Sequence, residues 1–146
     1  MSAKTRMAIG LLSLSAMGLV GIVAREGYSD TAIVPVPGDV PTIGFGTTEG
    51  VKMGDRITPG QAVARAVRDV QKYEGAVKEC VTVPLSQAEY DTYISLAYNI
   101  GTGAFCKSTL VRKLNAQDYA GACQQILVWD KFKGFRVAGE VPQPQD

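Results

Sequence analysis

Met7 to Ala24 is an unbroken run without a single charged residue, and no other feature restricts the fold of this chain as much. Its length is close to the roughly 20 residues that a bilayer-spanning helix needs. Lys4 and Arg6 precede it, and a positive flank of this kind stays on the cytoplasmic side of a membrane. The run reads either as an anchor or as a removed signal peptide. The absence of a clear A-x-A site followed by a polar linker favours the anchor. A buried core helix fits poorly, because the run is apolar on every face. Gly10, Gly18, Gly21, Ala8, Ala16, Ser13 and Ser15 dilute the leucines, so insertion should be marginal. Small residues of this kind also suit helix pairing in a bilayer. Arg25 and Glu26 follow at once, which puts a carboxylate at the membrane surface on the translocated side.

What remains is long enough for one compact domain. Fifteen lysines and arginines face 14 aspartates and glutamates, a formal net charge of +1, and this balance argues against a nucleic-acid partner. The chain has no histidine. That removes Ser-His-Asp and Cys-His catalysis and the commonest zinc sites, so neither a metal nor a cofactor is expected and acid–base work falls to carboxylates. Cys80, Cys106 and Cys123 lie far apart with no CxxC. In an oxidising compartment two can pair and one is left over, without any indication of which. Glu26, at the junction of an apolar helix and a glycine, is placed to have its carboxyl held against apolar surface with a raised pKa, as a general acid requires. The bland alternative is a solvated glutamate following an anchor.

Between Thr31 and Thr48 the sequence is rich in Val, Ile, Gly and Thr, with Pro35, Pro37 and Pro41; this predicts a small sheet and its loops. Thr58-Pro59 starts a helix running to about Glu79, with Val63, Ala66, Val67, Val70 and Val77 as its apolar face. Pro84 breaks the chain. Ser86 and Glu89 form a capping box for a second helix carrying Tyr90, Ile94, Ala97 and Tyr98 and ending at Gly101. Ser108 caps a helix with Leu110, Val111 and Leu114, and Asp118 caps another carrying Ala122, Ile126, Leu127 and Trp129. The tail from Val141 to Asp146 should be disordered. A small sheet followed by several helices is an α+β arrangement, with a polymer expected in a groove between the two parts.

Glu26-Gly27 followed by Thr42-Ile43-Gly44-Phe45-Gly46-Thr47-Thr48 resembles the active-site stretch of phage-type lysozymes, glycoside hydrolase family 24. The resemblance continues through Leu96-Ala97-Tyr98-Asn99-Ile100-Gly101, Phe105, Ser108-Thr109-Leu110, Leu114-Asn115, Gly121-Ala122 and Trp129. It implies a lysozyme-like fold, a small N-terminal sheet plus a helical lobe, over residues 25–140, with an anchor at 1–24 and a tail at 141–146. It also implies an endolysin that hydrolyses the β-1,4 bond between N-acetylmuramic acid and N-acetylglucosamine in peptidoglycan. The leader is similar to that of signal-anchor-release endolysins, whose weak anchor leaves the inner membrane and refolds with the catalytic domain in the periplasm of the host. By this resemblance Glu26 protonates the glycosidic oxygen and Thr42 helps position the attacking water.

One element of the pattern is missing, because Val36 stands where the family's aspartate is expected. Asp39 is the nearest replacement in the same loop and Asp30 a more distant one, although Gly38-Asp39 is also an ordinary turn signal. Without a second carboxylate, Glu26 alone suffices for lytic transglycosylation, and an inactive remnant that binds peptidoglycan is the alternative outside enzymes. A holin-like membrane protein is suggested only by the leader, and a structured soluble body argues against it. Family members usually continue past the tryptophan with a last basic helix, which suggests a lobe that closes differently or a truncated copy. Cys106 with Cys123 is the expected disulfide.

Overall fold

The computed structural model describes residues 5–129; the expected tail at 141–146 and the end of the expected domain at 130–140 lie outside them. In chain order the elements are α1 (Ala16–Glu26), β1 (Ser29–Ile33), β2 (Thr42–Gly44), α2 (Pro59–Cys80), α3 (Gln87–Ile100), α4 (Thr102–Cys106), α5 (Thr109–Asn115) and α6 (Tyr119–Gln125). Short 3₁₀ turns stand at Ile9–Leu11 and Ile126–Trp129. The chain divides into two compact units, one made of residues up to Gly18 with those from Tyr73 onward, the other of Leu19–Lys72.

In the first unit every predicted cap is present. The Ser86 hydroxyl accepts from the Glu89 amide at 3.1 Å and Glu89 Oε1 accepts from the Ser86 amide at 2.8 Å, so two orphan donors at the start of α3 are met reciprocally. The helix stops where Gly101 takes φ 92°. Ser108 accepts from Val111 N at 3.2 Å and Asp118 from Gly121 N at 3.0 Å, starting α5 and α6. Tyr90, Tyr93, Ile94, Leu96 and Ala97 are all at most 1% exposed, which makes α3 a helix buried on more than one face. One element is unforeseen here and one expectation fails. The five-residue α4 is too short to show a period, and the last helix tightens to a 3₁₀ turn at Ile126, leaving Leu127 and Val128 exposed.

The apolar leader does not form one long helix, and no helix of the described residues is long and apolar enough to cross a membrane. It divides into the 3₁₀ turn, an extended stretch and α1. Its polar backbone is met by the first unit: Met7 and Leu85 exchange both amide hydrogen bonds at 2.9 and 3.0 Å. Leu14 N donates to Glu74 Oε1 at 2.8 Å, Lys78 Nζ to the Leu12 carbonyl at 2.5 Å and Gln87 Nε2 to the Ser13 carbonyl at 2.9 Å. The Arg6 guanidinium donates twice to the buried Glu89 carboxylate, at 3.0 and 2.7 Å, and lies 3.6 Å from the Tyr119 ring centroid. Leu12 and Ile22 are buried whereas Leu11 and Met17 are exposed. The run is therefore partly a core element after all, because it is interrupted at residues 12–15, around Ser13 and Ser15, and buries some of its apolar side chains while exposing others.

The expected Cys106–Cys123 bridge is not formed. Cys80, the last residue of α2, pairs with Cys106, the last residue of α4, across a Cα separation of 5.7 Å, well inside the range a disulfide spans. Cys123 takes no part in that disulfide and lies buried on α6.

The second unit holds the sheet. β1 and β2 pair antiparallel, Ser29 opposite Gly44 and Ile33 opposite Thr42, with an irregularity between them. Ala32 N bonds the Asp55 carbonyl at 3.0 Å and Ile57 N the Asp30 carbonyl at 2.9 Å, so the segment before α2 covers the other edge of β1. Ala32, Ile43 and Val51 form the core, with Ile57 packed against it. Thr58 and Gln61 cap α2 reciprocally at 3.2 and 3.0 Å. Its buried face is Ala62, Ala66, Val70 and Val77, whereas Val63, expected inside, is 47% exposed.

Candidate active site

Glu26 is the last residue of α1, and Gly27 follows in the left-handed region at φ 73°, the usual way to stop a helix. The residue is exposed, not enclosed as the sequence suggested. Its carboxyl lies against a glycine turn. Ile43 and Thr47 exchange both backbone hydrogen bonds, at 2.9 and 3.0 Å, and between them Gly44 and Gly46 take φ 63° and 90°. A Cβ on Gly46 would stand 2.7 Å from Glu26 Oε1 and 3.4 Å from Cδ. Only glycine combines that backbone with that approach.

The turn is itself held on α2. A Cβ on Gly44 would be 3.1 Å from Ala62 Cβ, and the buried Thr47 donates through Oγ1 to Asp69 Oδ2 at 2.7 Å. Tyr28 and Phe45 pack with ring centroids 5.1 Å apart. Arg25, beside the acid, is partly buried; this burial lowers its pKa, and the Glu26 carboxylate pulls it back up.

Thr42 opens β2, three residues ahead of Phe45, and its Oγ1 donates to the Val40 carbonyl at 3.2 Å. Glu26 and Thr42 thus share one short structure, the acid touching the turn that Thr42 leads into. Asp39 is exposed and closes a turn in which its amide bonds the Val36 carbonyl at 2.9 Å and Gly38 takes φ 85°. Its Oδ1 accepts from Val40 N at 2.9 Å, the local bonding expected of an aspartate in such a turn. Val36 is 58% exposed. Asp30 is exposed on β1. The depression of about 410 Å³ lined by Arg56, Gln61, Arg65 and Arg68 includes none of these residues.

Sequence reasoning missed Gly46 and Asp69 as supports of the site. The paired glycines in Gly44-Phe45-Gly46 were the available signal for the first. Nothing marked Asp69, which lies 22 residues from its partner.

The sequence profile of phage lysozymes matches residues 23–143. The chain is 41% identical over 92 residues to an endolysin of Acyrthosiphon pisum secondary endosymbiont phage 1, a match covering 63% of each chain and so less than two thirds of that relative. It is 38% identical to the SAR-endolysin of Pseudomonas phage phiKMV, over 80% of this chain and 71% of that one. Among solved structures, the endolysin from Escherichia coli O157:H7 phage FAHEc1 superposes with a TM-score of 0.79 at 30% identity, covering 93% of this chain and 99% of the other. With Glu26, Thr42 and the glycine turn in one unit, these matches lead to one conclusion: the chain belongs to the phage lysozyme family of peptidoglycan-lysing glycoside hydrolases.

Proposed function

We propose that Glu26 is the general acid that cleaves the β-1,4 bond between N-acetylmuramic acid and N-acetylglucosamine, with Thr42 positioning the water and Asp39 as the second carboxylate. The observation that carries this reading is the approach of the Glu26 carboxyl to Gly46, since it joins the acid to the turn headed by Thr42. Glu26 gives its proton to the glycosidic oxygen as the C–O bond breaks and positive charge gathers at the anomeric carbon. Water then attacks that carbon from the opposite face and loses its proton to a carboxylate, a geometry that needs a carboxyl separation of roughly 6.5 to 9.5 Å. The endolysin relatives add no support for transglycosylation or for an inactive remnant.

The test is clearing of outer-membrane-permeabilised bacteria by wild type and Glu26→Gln. Removal of a general acid should slow lysis by about 10²- to 10⁴-fold. Equal clearing would remove Glu26 from the mechanism. For Asp39, full activity of Asp39→Asn would exclude it as the base.

The reading extends to location: export through the inner membrane, tethering by residues 1–24 and release uncut into the periplasm. The hydrogen bonds that tie residues 6–15 to the folded body support it, because a leader removed by processing could not make them. Intact mass of the soluble periplasmic enzyme decides between the two, and a shortened form would show an ordinary signal peptide.

A further inference from the structure

We propose that Asp91 is a positioning residue for the hydrolysis, because it clamps the start of α1, the helix that ends in Glu26. This rests on the assignment of Glu26 as the acid. Ser15 is the residue before α1, and its Oγ accepts from Gly18 N at 3.0 Å, the bond a helix N-cap makes to its third amide. Ser15 is in turn held from α3. Its amide donates to Asp91 Oδ1 at 3.0 Å and its hydroxyl to Asp91 Oδ2 at 2.5 Å. Gln87 Nε2 steadies the same carboxylate at 2.9 Å. A negative charge at this end of a helix also meets the positive end of its dipole.

Gly18 gives an independent sign that this junction is built. A Cβ there would stand 3.0 Å from Asp91 Cγ, 3.2 Å from Oδ1 and 2.8 Å from Leu14 Cδ1. The glycine that weakens the leader as an anchor therefore also lets α1 sit against the aspartate. α1 has 11 residues with no acidic side chain in its own first turn, and a helix of that length is marginal unless something outside it fixes its start. Asp91 supplies that fixed start, and the opposite end of the same helix carries the acid.

The experiment compares the full-length enzyme with Asp91→Ala and with Asp91→Ala combined with Ser15→Asp, which replaces the lost carboxylate by a charged N-cap acceptor within the leader itself. Hydrogen exchange of the peptide covering residues 16–26 should be roughly three- to thirtyfold faster in Asp91→Ala. On soluble uncrosslinked glycan strands kcat should fall roughly three- to tenfold with KM within about twofold. The Ser15→Asp addition should recover most of both. If Asp91→Ala left exchange in α1 unchanged, the clamp would be wrong whatever Glu26 does. If exchange rose while kcat stayed at the wild-type value, the link to the acid would be wrong. If the variant proves too unstable to assay, the rescued pair carries the test, and failure to recover kcat once exchange is restored would overturn the proposal. Loss of activity in Glu26→Gln is read separately, so the two assignments fail in different assays.

Discussion

Gly46→Ala puts the geometry of the acid to a direct test. The new methyl carbon would start 2.7 Å from Glu26 Oε1, whereas carbon and oxygen come no closer than about 3.3 Å without cost. The carboxyl must therefore retreat by roughly 0.6 Å, or the turn must open. A non-glycine residue at φ 90° adds about 1 to 2 kcal/mol of backbone cost, well within the roughly 5 to 15 kcal/mol by which a domain stays folded. Because a misplacement near 1 Å can cost about 10²-fold in rate, kcat should fall by about ten- to a hundredfold in a folded protein. Gly50→Ala is the matched control: Gly50 has φ 72° with nothing within 4 Å of its Cβ position, so it should carry the same backbone cost and leave kcat alone. Thermal unfolding and release of reducing ends from purified walls measure the two quantities. Wild-type kcat in Gly46→Ala, or equal loss in both variants, would refute the argument that the turn sets the carboxyl.

Three further outcomes are expected. Arg6→Ala strips a 95% buried Glu89 side chain of its cation and should lower stability by about 2 to 4 kcal/mol, read by urea unfolding. Cys106→Ser opens a 26-residue separation and should cost about 3 to 4 kcal/mol in the chain-entropy picture, while Cys123→Ser leaves the bridge intact and abolishes the one thiol that titrates after unfolding. Burial raises the Tyr90 and Tyr93 hydroxyls above their ordinary value of 10.0. The unfolded chain therefore loses these protons first: their contribution is complete below pH 10 and fades as pH rises beyond it, which denaturant titrations on either side of pH 10 will follow.

Local chemistry was legible in the sequence, and contacts between distant segments were not. Thr58, Ser86, Ser108 and Asp118 were identified as caps because each acts within three residues of itself, and all four make the bond. The choice of Cys80 over Cys123 depends on where α4 brings Cys106, and α4 is too short to announce itself. Val63 shares the helical spacing of Ala66, Val67 and Val70, yet Ala62 is the residue turned toward Gly44, where only a small side chain fits. At the site, Glu26 and Thr42 came from a local sequence motif, and the turn between Ile43 and Thr47 is the structure behind its glycines. Asp39 lies in the loop between the two strands, and its carboxylate accepts from its own neighbour. The leader was read from its hydropathy, flanking charges and small residues, none of which registers that its backbone finds partners on Glu74, Lys78 and Gln87.

The pairing of Arg6 with Glu89 has an electrical consequence for the proposed passage from tethered to released enzyme. A tethered leader keeps Arg6 on the inner face of the membrane, whereas the folded protein needs it on the outer face. That step moves a positive charge out of a negatively polarised cell, against about 2.3 kcal/mol for every 100 mV of membrane potential. In the proposed tethered state an energised membrane would hold the leader back, and loss of the potential would remove that barrier.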